Sequence, residues 1–266
     1  MILVPLDAIA YQNALRSLPP GEKVIFALGL GILSYFLVGW GQILLILWLS
    51  GWIIIYARIP WRFYGQLLTL PCGFLTLSCP ALLFTIQIAP ARIITPVIWS
   101  SQWGIFRVSI LPENLILVRE MSLRAIAITV CIYFLLLTTP FIELLQILKK
   151  LKCPPLIIEL LGLMYRFIFI LLTTMTELIT AQQARLGYRN RATTWHSVKI
   201  IAGTLLKRSL EHYRSFSLGL TSRGFTGQLQ FLPSSIHRGQ WRYRLEAIAG
   251  YFVLLCLGIQ EHGTTI

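Results

Sequence analysis

The feature that most restricts this chain is a succession of apolar runs with almost no charge inside them. Residues 24–38, 43–57, 67–88, 125–137 and 245–259 are five such runs. A membrane-crossing helix needs roughly 20 apolar residues, about 17–25 with tilt. Hydrophobic residues make up 56% and charged residues 12% of the 266, where a soluble domain carries about 45–50% and about 25%. So few charges cannot cover a water-facing surface, and the mean hydropathy of +0.72 agrees. A disordered chain and a soluble globule are both disfavoured. The expected fold is an all-α integral membrane protein.

The charges orient it. The net charge is +13, and in so apolar a chain such an excess reads as cytoplasmic loops under the positive-inside rule, not as a nucleic-acid surface. The start has no basic segment leading into an apolar core, so no cleavable signal is expected. The first two runs, joined by the uncharged Gly39-Trp40-Gly41-Gln42, read as a helical hairpin with Trp40 at an interface. Arg16, Lys23, Arg58 and Arg62 flank its open end and place that end inside. The third run contains Pro71 and Pro80, tolerated where neighbours satisfy the carbonyl that each proline frees. Residues 90–120, with Trp99, Trp103, Pro112 and Glu113, lack a helical period and are placed outside. Residues 125–137 return as a short fourth span, which extends to Met121 if its start is drawn back.

From 140 to 244 the character changes. Fifteen of the 23 basic residues lie there beside four acids, Glu143, Glu159, Glu177 and Glu211. This is the expected cytoplasmic domain. The organisation is therefore 1–139 (four spans), 140–244 (cytoplasmic helices) and 245–266 (a last span and an outside tail). Residues 156–175 strain this scheme, being apolar enough to span. However, Lys149, Lys150 and Lys152 precede them, Arg185, Arg189 and Arg191 follow, and Glu159 and Arg166 lie among them. Charges in lipid are costly, so a long helix against the inner ends of the spans is preferred. Five spans is the count and six the rival.

Three helices are expected in the basic domain. The first, 141–151, carries Phe141, Leu144, Leu145 and Leu148 on one face. The second starts at Pro154-Pro155 and closes at Ala184-Arg185-Leu186-Gly187, where Gly187 suits a left-handed C-cap and Arg185 the negative end of the helix dipole. The third, about 194–222, has Leu206, Leu210, Tyr213, Phe216 and Leu220 at steps of three or four and closes at Ser222-Arg223-Gly224. One arginine followed by glycine at a helix end is explained by capping alone. Two of them, each closing a long helix, also suit an exposed guanidinium that anchors a partner's carboxylate. The residues leave both readings open.

Several chemistries find no support. There is no phosphate-binding glycine loop, so the chain is not expected to hydrolyse ATP. His196, His212, His237 and His262 have no ligand-like spacing, and no nucleophile–base pair is visible, so no enzyme activity, metal or cofactor is expected. The five cysteines read as small residues of a packed bundle.

Taken together, these residues resemble the transmembrane T component of energy-coupling-factor ABC transporters, nearest to the CbiQ type of cobalt/nickel permease. The resemblance rests on Leu6-Asp7, Asn13-Ala14-Leu15-Arg16 and Gly21-Glu22-Lys23 before the first span. It continues through Thr138-Thr139-Pro140, Pro154-Pro155 and Met164-Tyr165-Arg166-Phe167. Most specific are Lys207-Arg208-Ser209 with Ser222-Arg223-Gly224-Phe225-Thr226-Gly227, and Ala184-Arg185-Leu186. The resemblance implies two cytoplasmic coupling helices whose tips dock on two ATPase subunits and relay their closure to a separate substrate-binding membrane subunit. It makes Arg185 and Arg223 the docking arginines, with Ala184, Leu186, Ser222 and Gly224 beside them. Two departures stand out: Leu186 replaces the glycine or serine of the first tip, and Ser222 the alanine of the second. Cobalt or nickel is the implied cargo and a vitamin the alternative. A lipid-modifying enzyme or a basic anchor on anionic lipid is the reading from a different class.

Overall fold

The computed structural model describes residues 3–88, 99–103, 106–110, 112–224 and 241–264. The first helices are α1 (Leu3–Gln12), α2 (Pro20–Phe36) and α3 (Trp40–Gly51), with a 3-10 turn at Ala14–Ser17 and a π turn at Trp52–Tyr56 prolonging α3. After α4 (Trp61–Leu83) come three short strands, β1 (Thr85–Ile88), β2 (Trp99–Trp103) and β3 (Phe106–Ile110). Then follow α5 (Pro112–Thr138), α6 (Phe141–Lys150), α7 (Pro155–Ala184), α8 (Arg191–Ser222) and α9 (Trp241–Thr264). The strands form one antiparallel sheet in the order β1-β3-β2. Among the described residues all other regular structure is helical, in keeping with an all-α membrane protein. Helices α4, α5 and α7 are each long and apolar enough to cross a membrane, and α3 with its π turn is a shorter apolar helix. The chain divides into a membrane unit, 1–141 with 235–266, and a second unit, 142–234.

The expected irregular stretch at 90–120 is shorter than its sequence suggested. Residues 90–98 lie outside the described part. Strands β2 and β3 follow, and α5 begins at Pro112, giving a helix of 27 residues in place of the short fourth run. The physical reason lies in the start signals: proline is preorganised for a first helical turn, and Glu113 beside it suits the positive helix end.

The core of the membrane unit is built where α2, α3 and α5 meet. Leu30, Leu37, Leu45, Leu49, Ile53, Val130 and Leu137 are all fully buried there. At one end an aromatic cluster closes it. Phe26 stacks near Trp48, Trp52 and Phe134, with ring centroids 5.4–5.6 Å apart, and Tyr243 of α9 joins at 5.6 Å from Tyr56. Offset and edge-on rings at these distances add attraction beyond their buried area.

Proline inside α4 is accommodated as the membrane setting demands. Pro71 has no N–H to give the Leu67 carbonyl four residues earlier. The Tyr133 hydroxyl of α5 donates to that Leu67 oxygen at 3.1 Å. One turn toward the start of α4, the Tyr64 and Ser50 hydroxyls share a bond of 2.8 Å. The neighbouring helices thus supply partners that α4 cannot supply itself.

The directions of the helices are fixed by three sets of contacts. Lys23 at the start of α2 donates to Thr138 O at the end of α5, 3.0 Å away, so these helices run antiparallel. Arg244 at the start of α9 meets Glu22 at the start of α2 through two hydrogen bonds, Nε to Oε2 at 3.0 Å and a shorter one from Nη2 to Oε1. The Glu22 carboxylate raises the Arg244 pKa above its ordinary value by hydrogen bonding and charge. Further along, the Tyr251 hydroxyl donates to Gly29 O at 3.0 Å, and Gly258 lies beside Leu37. Helix α9 therefore runs parallel to α2. The chain leaves α5 and enters α9 at the same end of the membrane unit.

Candidate functional site

The second unit is dominated by a helical hairpin. Helix α7 starts with Pro154 as its N-cap and Pro155 at its first position, where the missing N–H costs nothing. Helices α7 and α8 pack antiparallel: Phe167 meets Phe216 at 6.4 Å between ring centroids, and Arg166 lies 5.5 Å over the Phe216 ring. Toward the turn, Glu177 pairs with Arg208 at 3.5 Å, an exposed pair of little energetic weight.

A buried polar knot closes the hairpin. Ser197 and Gln182 are both buried. The Ser197 hydroxyl donates to Gly187 O at 2.9 Å and reaches Gln182 Oε1 at 3.4 Å. A Cβ on residue 187 would collide with the Ser197 Oγ and press on Gln182 O at 3.0 Å. Glycine is required here by space. Helix α8 then opens on Asn190, whose N–H donates to the Thr193 hydroxyl at 2.9 Å and whose carbonyl accepts from it at 2.8 Å. Residue 193 is three positions on, the capping-box arrangement.

The two arginine tips share one backbone design. Ala184 and Ser222 are the last residues of α7 and α8, and Arg185 and Arg223 are their C-caps, with φ, ψ of −90°, 12° and −97°, 12°. The next residue turns left-handed in both, Leu186 at φ 56° and Gly224 at φ 69°. Its N–H returns to the carbonyl three residues earlier, Gln183 at 3.0 Å and Thr221 at 3.1 Å. At the first tip Gly187 N–H also reaches Gln182 O at 2.9 Å, completing a Schellman motif.

This corrects the expectation for the first tip. The left-handed residue is Leu186, not Gly187, because the turn begins one residue earlier and Gly187 serves the contact with Ser197. The arginines sit one position beyond the helical turns, still close enough to feel the negative helix ends. All six residues, Ala184, Arg185, Leu186, Ser222, Arg223 and Gly224, are exposed, with Leu186 at 69%. The structure does not bring the tips together. They flank α8, whose 32 residues make a rod of about 48 Å at 1.5 Å per residue.

Sequence reasoning missed the Gln182–Ser197–Gly187 knot, because its members are individually unremarkable and meet only through the turn. The spacing of Leu206, Leu210, Tyr213, Phe216 and Leu220 makes one face of α8 apolar. Within this hairpin Phe216 contacts α7, while Leu206, Leu210 and Tyr213 are 64%, 53% and 62% exposed.

A membrane unit of helices with one small sheet, joined to a hairpin that displays two matched basic tips, suits a membrane-embedded component that meets partners in water. The sequence pattern of the cobalt transport protein family CbiQ matches residues 11–232, both tips included. The chain is 32% identical over 235 residues to the cobalt transport protein CbiQ of Rhodobacter capsulatus, covering 88% of this chain and 89% of that protein. It is 30% identical over 227 residues to the cobalt transport protein CbiQ of Salmonella typhimurium, covering 84% and 97%. A putative fused cobalt transport protein CbiMQ of Methanocorpusculum labreanum matches at 28% over 228 residues, 84% of this chain and 36% of that protein. The chain belongs to the CbiQ cobalt transport protein family.

Proposed function

We propose that this chain is the transmembrane coupling subunit of an energy-coupling-factor importer for cobalt or nickel. Two ATPase subunits dock on its cytoplasmic tips, one at Arg185 with Ala184 and Leu186, the other at Arg223 with Ser222 and Gly224. Their ATP-driven closure passes through α7 and α8 to a separate substrate-binding membrane subunit. The chain itself performs no catalysis, and hydrolysis belongs to the ATPases.

The observation that carries this reading is the repetition of one backbone design, with an exposed arginine, at opposite ends of α8. Capping explains either tip but gives no reason for two copies. A spacing of about 48 Å along a single helix suits two separate protein surfaces. Leu206, Leu210 and Tyr213, exposed on α8, offer apolar area to the substrate-binding subunit or to lipid. The fused relative supports a membrane partner of this kind.

The directions of α2, α5 and α9 support five spans with the N-terminus and the coupling helices on one side, and the basic excess of 140–244 supports that side being the cytoplasm. A sixth span through α7 alone would deliver the chain to the wrong end of the membrane unit for Arg244 to meet Glu22. A glycosylation or cysteine-accessibility tag after Ile259 should therefore report the outside, and a cytoplasmic readout would refute the arrangement. Docking itself is tested by single Arg185→Lys and Arg223→Lys exchanges. A lysine cannot make the bidentate pair of a guanidinium, so each should weaken ATPase capture, while a basic patch on lipid would not notice the exchange.

A further inference from the structure

Two motifs far apart in the sequence take no part in docking: Asn13 and Lys23 in the opening segment, and Thr138-Thr139-Pro140 at the end of α5. The structure brings them together. Residues 137–140 are all buried. A helix C-terminus leaves its last carbonyls without intrahelical donors, and at α5 side chains meet two of them. Asn13 Nδ2 donates to Leu137 O at 3.0 Å and to Ala10 O at 2.7 Å. Lys23 Nζ donates to Thr138 O at 3.0 Å. The Thr138 hydroxyl turns back to Phe134 O at 2.6 Å, and the Thr139 N–H reaches Leu135 O at 3.0 Å.

Lys23 is only 4% exposed. An ammonium at that depth is costly unless it is paired, and a helix C-terminus is where the macrodipole rewards a cation most. If the position served only to pack α2 against α5, an apolar side chain would do so at lower cost. What the ammonium adds is a fixed end to α5, one residue before Thr139-Pro140 and the turn into α6.

We propose that Asn13 and Lys23 are positioning residues that clamp the end of α5, so that displacement of the coupling helices is passed into the membrane unit and is not absorbed by fraying of the last turn. The transmission part rests on the coupling role proposed above. The clamp itself does not.

The test has two arms. In the purified chain alone, hydrogen exchange is compared for wild type, Lys23→Met, Asn13→Leu and Lys23→Arg. Lys23→Met should speed exchange at the amides of 137–139 by about 10- to 100-fold, the equivalent of losing one hydrogen bond to a charged group, and Asn13→Leu by about 2- to 10-fold, the equivalent of losing a neutral one. The amides of α3 and α4 should not move, and Lys23→Arg should restore most of the protection. Unchanged exchange at 137–139, or loss spread evenly over every helix, overturns the clamp. In the assembly with ATPases and substrate-binding subunit, Lys23→Met should retain ATPase capture and ATP hydrolysis. Metal uptake per ATP should fall at least about fivefold, the low end of a coupling between sites. Fast exchange with unchanged uptake per ATP overturns the positioning role. If the wild type captures no ATPase, the coupling reading fails, while the exchange arm still decides the clamp. Should Lys23→Met not fold, Asn13→Ala with Lys23→Arg carries the same comparison.

Discussion

Replacing Leu186 by glycine should make the first arginine tip more stable, although it removes a large apolar side chain. Leu186 holds φ at 56°, a region that costs an L-residue with a Cβ roughly 1–2 kcal/mol. Its side chain is 69% exposed, so little buried area is lost with it. Glycine takes back part of the gain, about 0.5–1 kcal/mol, because it has more freedom to lose on ordering. The net expectation is a stabilisation of roughly 0.5–1 kcal/mol, or exchange at the closing amides slowed by about two- to fivefold. The amides to follow are those of Leu186 and Gly187, which return to Gln183 and Gln182; at position 186 itself the variant supplies a glycine amide. Hydrogen exchange of the purified chain reads both. The reciprocal Gly224→Leu, at φ 69°, should speed exchange at the end of α8. Faster exchange at 187 in Leu186→Gly, or no effect of Gly224→Leu, would refute the claim that the two tips share one left-handed turn. The same variant separates stability from recognition: a firmer tip that binds ATPase less well would show that the exposed Leu186 side chain is part of the docking surface.

Two further expectations concern the membrane unit. Tyr133→Phe leaves the Leu67 carbonyl, freed by Pro71, without its donor, and should cost about 1–3 kcal/mol in reversible unfolding from mixed micelles; in a Pro71→Ala background, where the backbone N–H returns, that cost should largely vanish, and an equal cost in both backgrounds would sink the argument. Glu22→Arg should loosen the start of α9 from α2, seen as faster exchange at 244–248, and the double exchange Glu22→Arg with Arg244→Glu should restore protection; a double variant no better than the single one would show that the pair does not hold α9.

Much of this architecture is legible in the sequence because it depends on local signals. The apolar runs announce helices α2 to α5 and α9, Pro155 the start of α7, and the glycines and arginines the two helix ends, all short-range features that tertiary packing reinforces. The early start of α5 is hidden because Pro112 and Glu113 suit a loop as well as the first turn of a helix, where they are start signals. The left-handed residue of the first tip, Leu186, lies one position before the glycine that the sequence offers for it. Glycine was the natural choice for it, and only the approach of Ser197, ten residues on, explains why glycine is needed at 187 instead. The clamp at the end of α5 was legible only as separate motifs. Nothing local says that Lys23 folds inward to a carbonyl at 138, because a lysine before a span ordinarily marks its cytoplasmic flank.

The central claim is that Arg185 and Arg223 are docking residues and not only caps. It is tested most directly by a mild-detergent pull-down of the tagged chain, wild type beside Arg185→Ala/Arg223→Ala, with the captured proteins identified and the helices checked by hydrogen exchange. ATPase subunits captured by the wild type and lost in a double variant whose α7 and α8 remain protected are the predicted result. ATPase capture that survives the double substitution, or none in the wild type, would show that the arginines only close their helices.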